Sequence, residues 1–121
     1  MTYQQVPIVR LQPTEQYLCR ASLNYLSHHP KEAAEPIDIY VDKDGILIME
    51  GHNRTFLRHT QGIPTVPAIV HDAATISPEF GLEYLLIPWR EICRKIGVFT
   101  IKDLANRIVP TREDVKRLSQ E

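Results

Sequence analysis

Five consecutive residues, Glu50-Gly51-His52-Asn53-Arg54, hold the densest chemistry in the chain. They set a carboxylate, an imidazole, a side-chain amide and a guanidinium around one glycine. They follow a large apolar run, Ile46-Leu47-Ile48-Met49, and open a polar, amphipathic stretch. That order describes a buried strand turning sharply into a helix, because glycine permits a turn that a side chain would obstruct. The first amides of a helix lack intrahelical partners and lie at the positive end of its dipole. Such a corner suits a phosphate. The amides of His52, Asn53 and Arg54 could cradle it, and Arg54 adds a planar fork of donors that matches phosphate oxygens. Arg58, one turn along the same helical face, could extend the anion site or be a plain surface charge. Glu50 could hold Mg2+ beside phosphate oxygens, orient an acceptor, or bond the turn's own amides. His52 could bond phosphate or act as an acid. The bland alternative is a polar strand-to-helix turn, with Arg54 in a salt bridge to Glu50 or Asp72.

Other chemistries find no support. His28, His29 and His71 have no mutual ligand spacing, and two cysteines are too few for a zinc site. Neither a Walker-type phosphate loop nor G-x-G-x-x-G occurs. Cys19 and Cys93 lie far apart, in segments that read as helical, and are expected to be free buried thiols. The 121 residues suit one compact domain with a small terminal appendage, and 43% hydrophobic content supports a core. Apolar runs are too short to span a membrane, and the N-terminus lacks a basic start followed by an apolar block. A cytoplasmic protein with no membrane partner is expected. The net charge of −1 excludes nucleic-acid binding by bulk charge. Residues 1–87 carry a net −4 and residues 88–121 a net +3. That basic third could face an acidic partner or nucleic acid, or be a solvated helical surface.

The elements that must position the corner follow from periodicity and punctuation. Residues 6–11 read as a strand. Pro13 then breaks the chain, and Thr14 is expected to cap a helix over 15–27. Residues 30–36 read as a polar loop. A strand over 36–42, the turn Asp42-Lys43-Asp44-Gly45 and a return strand over 46–49 form a hairpin. The helix after the corner runs to 61, with Gly62 as its C-terminal cap. A strand over 63–70 follows, and Pro64 and Pro67 place it at an edge. Residues 73–83 form a connection. Pro88 is expected to open a helix to 96, Thr100 to cap one reaching 108, and Thr111 to cap a last one. The order β-α-β-β-α-β followed by helices predicts an α+β fold, a small mixed sheet with helices packed on it. Residues 1–72 would be the core, and 73–121 a helical extension packed on or appended to it.

Over residues 6–71 the chain resembles the ParB/sulfiredoxin-like superfamily. The likeness rests on the element order, the hairpin, the corner, Gly62 and the strand Ile63-Pro64-Thr65-Val66-Pro67-Ala68-Ile69-Val70. Gly51 and Arg54 match the family's G-x-x-R-type corner, which binds nucleotide phosphate. The resemblance implies ATP, ADP or CTP as ligand, with Mg2+. Sulfiredoxins place a catalytic cysteine at the slot held here by His52, so their chemistry is excluded. The Gly-Glu-Arg-Arg box of chromosome-partition ParB proteins matches Gly51 and Arg54 but not His52 and Asn53. The corner is most similar to Asp-Gly-His-His-Arg of ParB-like free-serine kinases. Those enzymes carry a catalytic glutamate just after a proline, and Pro13-Thr14-Glu15 looks like that site. The resemblance thus implies Glu15 as general base, Glu50 and His52 in the catalytic set, and phosphotransfer or nucleotide hydrolysis. Without the resemblance, Glu15 reads as an acid favoured by the helix dipole.

The stretch from Thr100 to Leu118 resembles a degenerate helix-turn-helix, which gives the alternative of a DNA-binding or partition-type regulator. Its second helix would present Arg112, Lys116 and Arg117 to DNA, and a homodimer would be required. Val109-Pro110 replaces the usual glycine turn, and Glu113 and Asp114 would repel phosphates. Two short capped helices packed on the sheet are the plain alternative.

Overall fold

The computed structural model describes residues 3–72 and 82–120. Its elements are β1 (Tyr3–Pro7), a 3-10 turn (Ile8–Arg10), β2 (Leu11–Gln12), β3 (Leu18–Cys19), α1 (Arg20–Ser27), α2 (Pro30–Ala33), β4 (Ile37–Asp42) and β5 (Gly45–Glu50). They continue with α3 (His52–Thr60), β6 (Thr65–His71), α4 (Leu82–Lys95), a second 3-10 turn (Ile101–Leu104), β7 (Ile108–Val109) and α5 (Arg112–Ser119). Five strands form one mixed sheet in the order β1-β6-β4-β5-β2, and β3 and β7 form a second, parallel pair. The architecture is α+β, as expected.

The β4–β5 hairpin turns where Asp44 N–H donates to Asp42 Oδ1 at 2.9 Å and Gly45 takes φ +136°. Ile37, Ile39 and Ile48 from this hairpin enter the core with Leu11, Leu18, Leu23, Phe56 and Val66. Cys93, Val98, Ile101 and Leu104 join the same core. Leu18 N–H donates to Arg107 O at 2.9 Å, and Ala21 N–H to Pro110 O at 3.2 Å. The C-terminal segment is therefore packed on the core, and it contributes a strand as well as helices. Among the described residues no helix is long and apolar enough to cross a membrane.

Several local expectations yield to long-range partners. The helix expected over 15–27 starts at Arg20, because residues 14–19 are bonded elsewhere. Thr14 Oγ1 donates to Ile48 O at 2.8 Å instead of capping a helix, and Leu18–Cys19 pair with β7. Cys19 is thus a strand residue, though both cysteines are buried and free, as expected. The strand expected over 6–11 is split by a 3-10 turn, and the polar loop holds the single turn α2, opened by Pro30. β6 is interior, between β1 and β4, and not at an edge. Pro67 pairs with Gln5 of β1, and the β4 ladder starts one residue later, at Ala68. Pro88 lies inside α4 and does not open it. Residues 73–81 of the expected connection lie outside the described residues.

Candidate anion-binding cleft

The corner between β5 and α3 forms as its sequence dictates. Gly51 is the N-terminal flanking residue of α3, at φ +113° and ψ 24°. That left-handed backbone is cheap only for glycine. A Cβ at Gly51 would also collide with the buried side chain of Ile37. No side chain caps the amides of His52, Asn53 and Arg54. Glu50, Gly51, His52, Asn53 and Arg54 all line an open cleft of about 410 Å3. Its opposite walls come from Ser22, Tyr25 and Glu32 of the α1–α2 region, from Glu15, and from Arg112 at the start of α5.

His52 is buried, 2% exposed, and its Nε2 accepts the Thr14 amide at 2.9 Å and the Glu15 amide at 3.3 Å. A backbone N–H can only donate, so the neutral ring carries its proton on Nδ1. Nδ1 has no hydrogen-bond partner, and Glu15 Oε1 lies 4.0 Å from it. Burial pushes the His52 pKa down, against a smaller upward pull from Glu15. Neutral His52 is therefore favoured, which weighs against the acid role expected of it. Its Nε2 fixes the Pro13–Glu15 segment, and Nδ1–H is the single group it has left to offer. Glu15 is held at the cleft wall through its amide, with its carboxylate partly in solvent.

Arg54 makes no salt bridge to Glu50 or Asp72. Its Nη1 donates to Pro36 O at 2.8 Å and Glu35 O at 3.3 Å, which braces the corner against the chain entering β4. Asn53 Oδ1 accepts the Cys19 amide at 3.3 Å, so the same corner also anchors the entry to α1. Glu50 is exposed at the mouth of the cleft. Arg58 does not extend the site. Its Nε donates to Thr65 O at 2.9 Å, and it lines a separate hollow beside Leu26 and Pro30.

The helix-turn-helix expectation fails on geometry. The expected first helix is a 3-10 turn, with a Thr100–Asp103 capping box, followed by strand β7. The cap at Thr111 is present, and its side chain accepts the Asp114 amide. Of the three residues assigned to DNA, Arg112 lines the cleft, Lys116 lines a neighbouring cavity, and Arg117 pairs with Asp114 at 3.1 Å. Arg112, Tyr25 and Glu32 carry no local signal of a shared site, because only the packing of α1, α2 and α5 brings them together.

The donor set also limits the metal. Among the described residues no three His, Cys, Asp or Glu side chains converge on a point where they could hold an ion. Mg2+ commonly uses one or two carboxylates plus phosphate oxygens and water. Glu50 and Glu15 fit an ion carried in by a phosphate, not one caged by protein alone. Three carboxylates, Glu15, Glu32 and Glu50, face two guanidinium groups, Arg54 and Arg112, around the cleft.

No protein-family model and no curated protein matches this chain. Among solved structures it is similar to protein Atu1540 from Agrobacterium tumefaciens, with a TM-score of 0.51 and 13% identity. The match covers 74% of this chain and 49% of that one, so the chain spans about half the length of that structure. At this identity the likeness is one of fold.

Proposed function

We propose that this chain is a ParB/sulfiredoxin-like domain that binds a nucleotide or another phosphorylated small molecule at the 50–54 corner. One observation carries the reading: the first amides of α3 have no side-chain cap and belong to residues that line an open cleft of about 410 Å3. Unpartnered amides at the positive end of a helix favour an anion. Arg54 and Arg112 line the same cleft, and His52 adds a buried Nδ1–H with no partner. Bound Mg2+ would neutralise phosphate charge that the three carboxylates otherwise repel. Glu15 lines the same cleft, where it would take a proton from a hydroxyl or water beside the phosphate in phosphotransfer or hydrolysis. A cytoplasmic setting agrees with two unpaired, buried thiols.

Calorimetric titration with ATP, ADP and CTP in the presence of Mg2+ tests the reading. Binding is expected for at least one of them. Arg54→Ala should weaken it by about 1.5–3 kcal/mol, the scale of a hydrogen bond to a charged group. No heat with any of the three, on folded protein, overturns the proposal, and unchanged affinity in Arg54→Ala moves the site elsewhere.

A further inference from the structure

A second cavity of about 300 Å3 adjoins the cleft and shares Glu15, Asn53 and Arg112 with it. Its other walls differ in character, with Tyr17, Trp89 and Val115 presenting apolar surface. These come from three separate parts of the chain, so the chamber exists only because α4 and α5 fold back onto the segment before β3. Tyr17 is held in place by the Arg107 guanidinium, 4.3 Å from its ring centroid. Trp89 is 39% exposed, unusual for so large an apolar side chain, and it borders this cavity. Arg112 stands at the junction, exposed, and its side chain forms no ion pair or hydrogen bond with another described residue.

We propose that this second chamber receives the planar ring system of a ligand whose phosphate sits at the α3 corner, with Arg112 contacting the ligand where the two parts join. The inference rests on the phosphate reading above. The walls that the two cavities share, Glu15, Asn53 and Arg112, are what select the occupant. A ligand reaching past Asn53 and Arg112 from the corner meets aromatic and aliphatic walls, which recognise a flat ring by stacking and burial. A small inorganic anion would leave the chamber unused. Ligand sites commonly combine such an apolar body with a few placed polar groups.

The chain has one tryptophan, so Trp89 emission reports on this chamber alone. Inorganic triphosphate, ATP and CTP are titrated with Mg2+, followed by calorimetry and by Trp89 fluorescence. A nucleoside triphosphate is expected to bind roughly tenfold or more tightly than triphosphate, as ring stacking supplies. It should change Trp89 emission, whereas triphosphate should not. Trp89→Ala should lower nucleotide affinity toward that of triphosphate and leave triphosphate binding unaltered. Should that variant fail to fold, Val115→Ala tests the same wall. Equal affinities for triphosphate and nucleotides, or nucleotide binding with unaltered emission, overturn the inference while leaving the anion site standing. Absence of binding by all three ligands overturns both.

Discussion

Replacing His52 by Phe isolates what the buried imidazole does. Phe keeps a ring of similar shape, so no large cavity opens. It removes the Nε2 acceptor that takes the Thr14 amide at 2.9 Å and the Glu15 amide at 3.3 Å. A buried donor left unpaired costs about 1–3 kcal/mol. Removing the unpartnered Nδ1–H offsets part of this, so a net loss of about 1–2 kcal/mol is expected at pH 7. For a domain of this size that lowers Tm by roughly 3–12 °C. Acidity supplies the sharper test. The native His52 pKa lies below its ordinary value. Below pH ~6.5 the unfolded chain therefore binds a proton that the native state excludes. Wild-type stability is then fully present above that range and falls on acidification, by at most about 1.4 kcal/mol per pH unit from this group. The variant lacks this contribution. The stability gap between the two proteins should narrow as the pH falls from 7.5 to 5. Urea denaturation followed by circular dichroism, at half-unit pH steps, measures it. A variant as stable as wild type at pH 7, with a parallel pH profile, refutes both the assigned tautomer and the role of His52 in holding the Pro13–Glu15 segment.

Two further substitutions probe the scaffold around the cleft. Gly51→Ala places a side chain at φ +113° and against Ile37, so it should cost about 2–4 kcal/mol from backbone strain and overpacking together; a urea midpoint within error of wild type would show that the corner relaxes freely. Arg90 is buried against Asp42 at 2.9 Å and Gln12 at 3.1 Å, tying α4 to the hairpin. Arg90→Met strands Asp42 and should destabilise by about 3 kcal/mol. Against a burial effect that would raise it, hydrogen bonds led by Arg90 hold the Asp42 carboxyl below its usual range. Wild-type stability from this group is present above the ordinary carboxylate range and falls as pH drops through it, and thermal melts of Arg90→Met should show a shallower acid loss.

The corner was legible because every signal for it is local. An apolar run, one glycine and a polar helical stretch lie within thirteen residues, and each constrains its neighbours directly. The same holds for the Asp-Gly hairpin and for the Thr111 cap. Residues 14–19 misled for the opposite reason. Thr14 and Glu15 look like a helix start, yet His52 and Ile48, more than thirty positions away, take their polar groups. Arg58 shares a helical face with Arg54 in sequence, but the Thr65 carbonyl claims it. The apolar residues after Thr100 fit a helical period, yet β3 recruits Ile108–Val109 into a strand pair.

By itself, then, the chain's order of residues determined the α+β class and the sharp glycine turn that exposes the amides of α3, since dihedral preference and hydrophobic alternation act over a few positions. Only the folded molecule decided what faces those amides. Setting Arg112 across from Arg54, and bringing Tyr17 and Trp89 beside Val115, depends on which apolar faces bury one another. That choice is made by the shared core of Leu18, Cys93, Ile101 and Leu104, and no short window of sequence contains it.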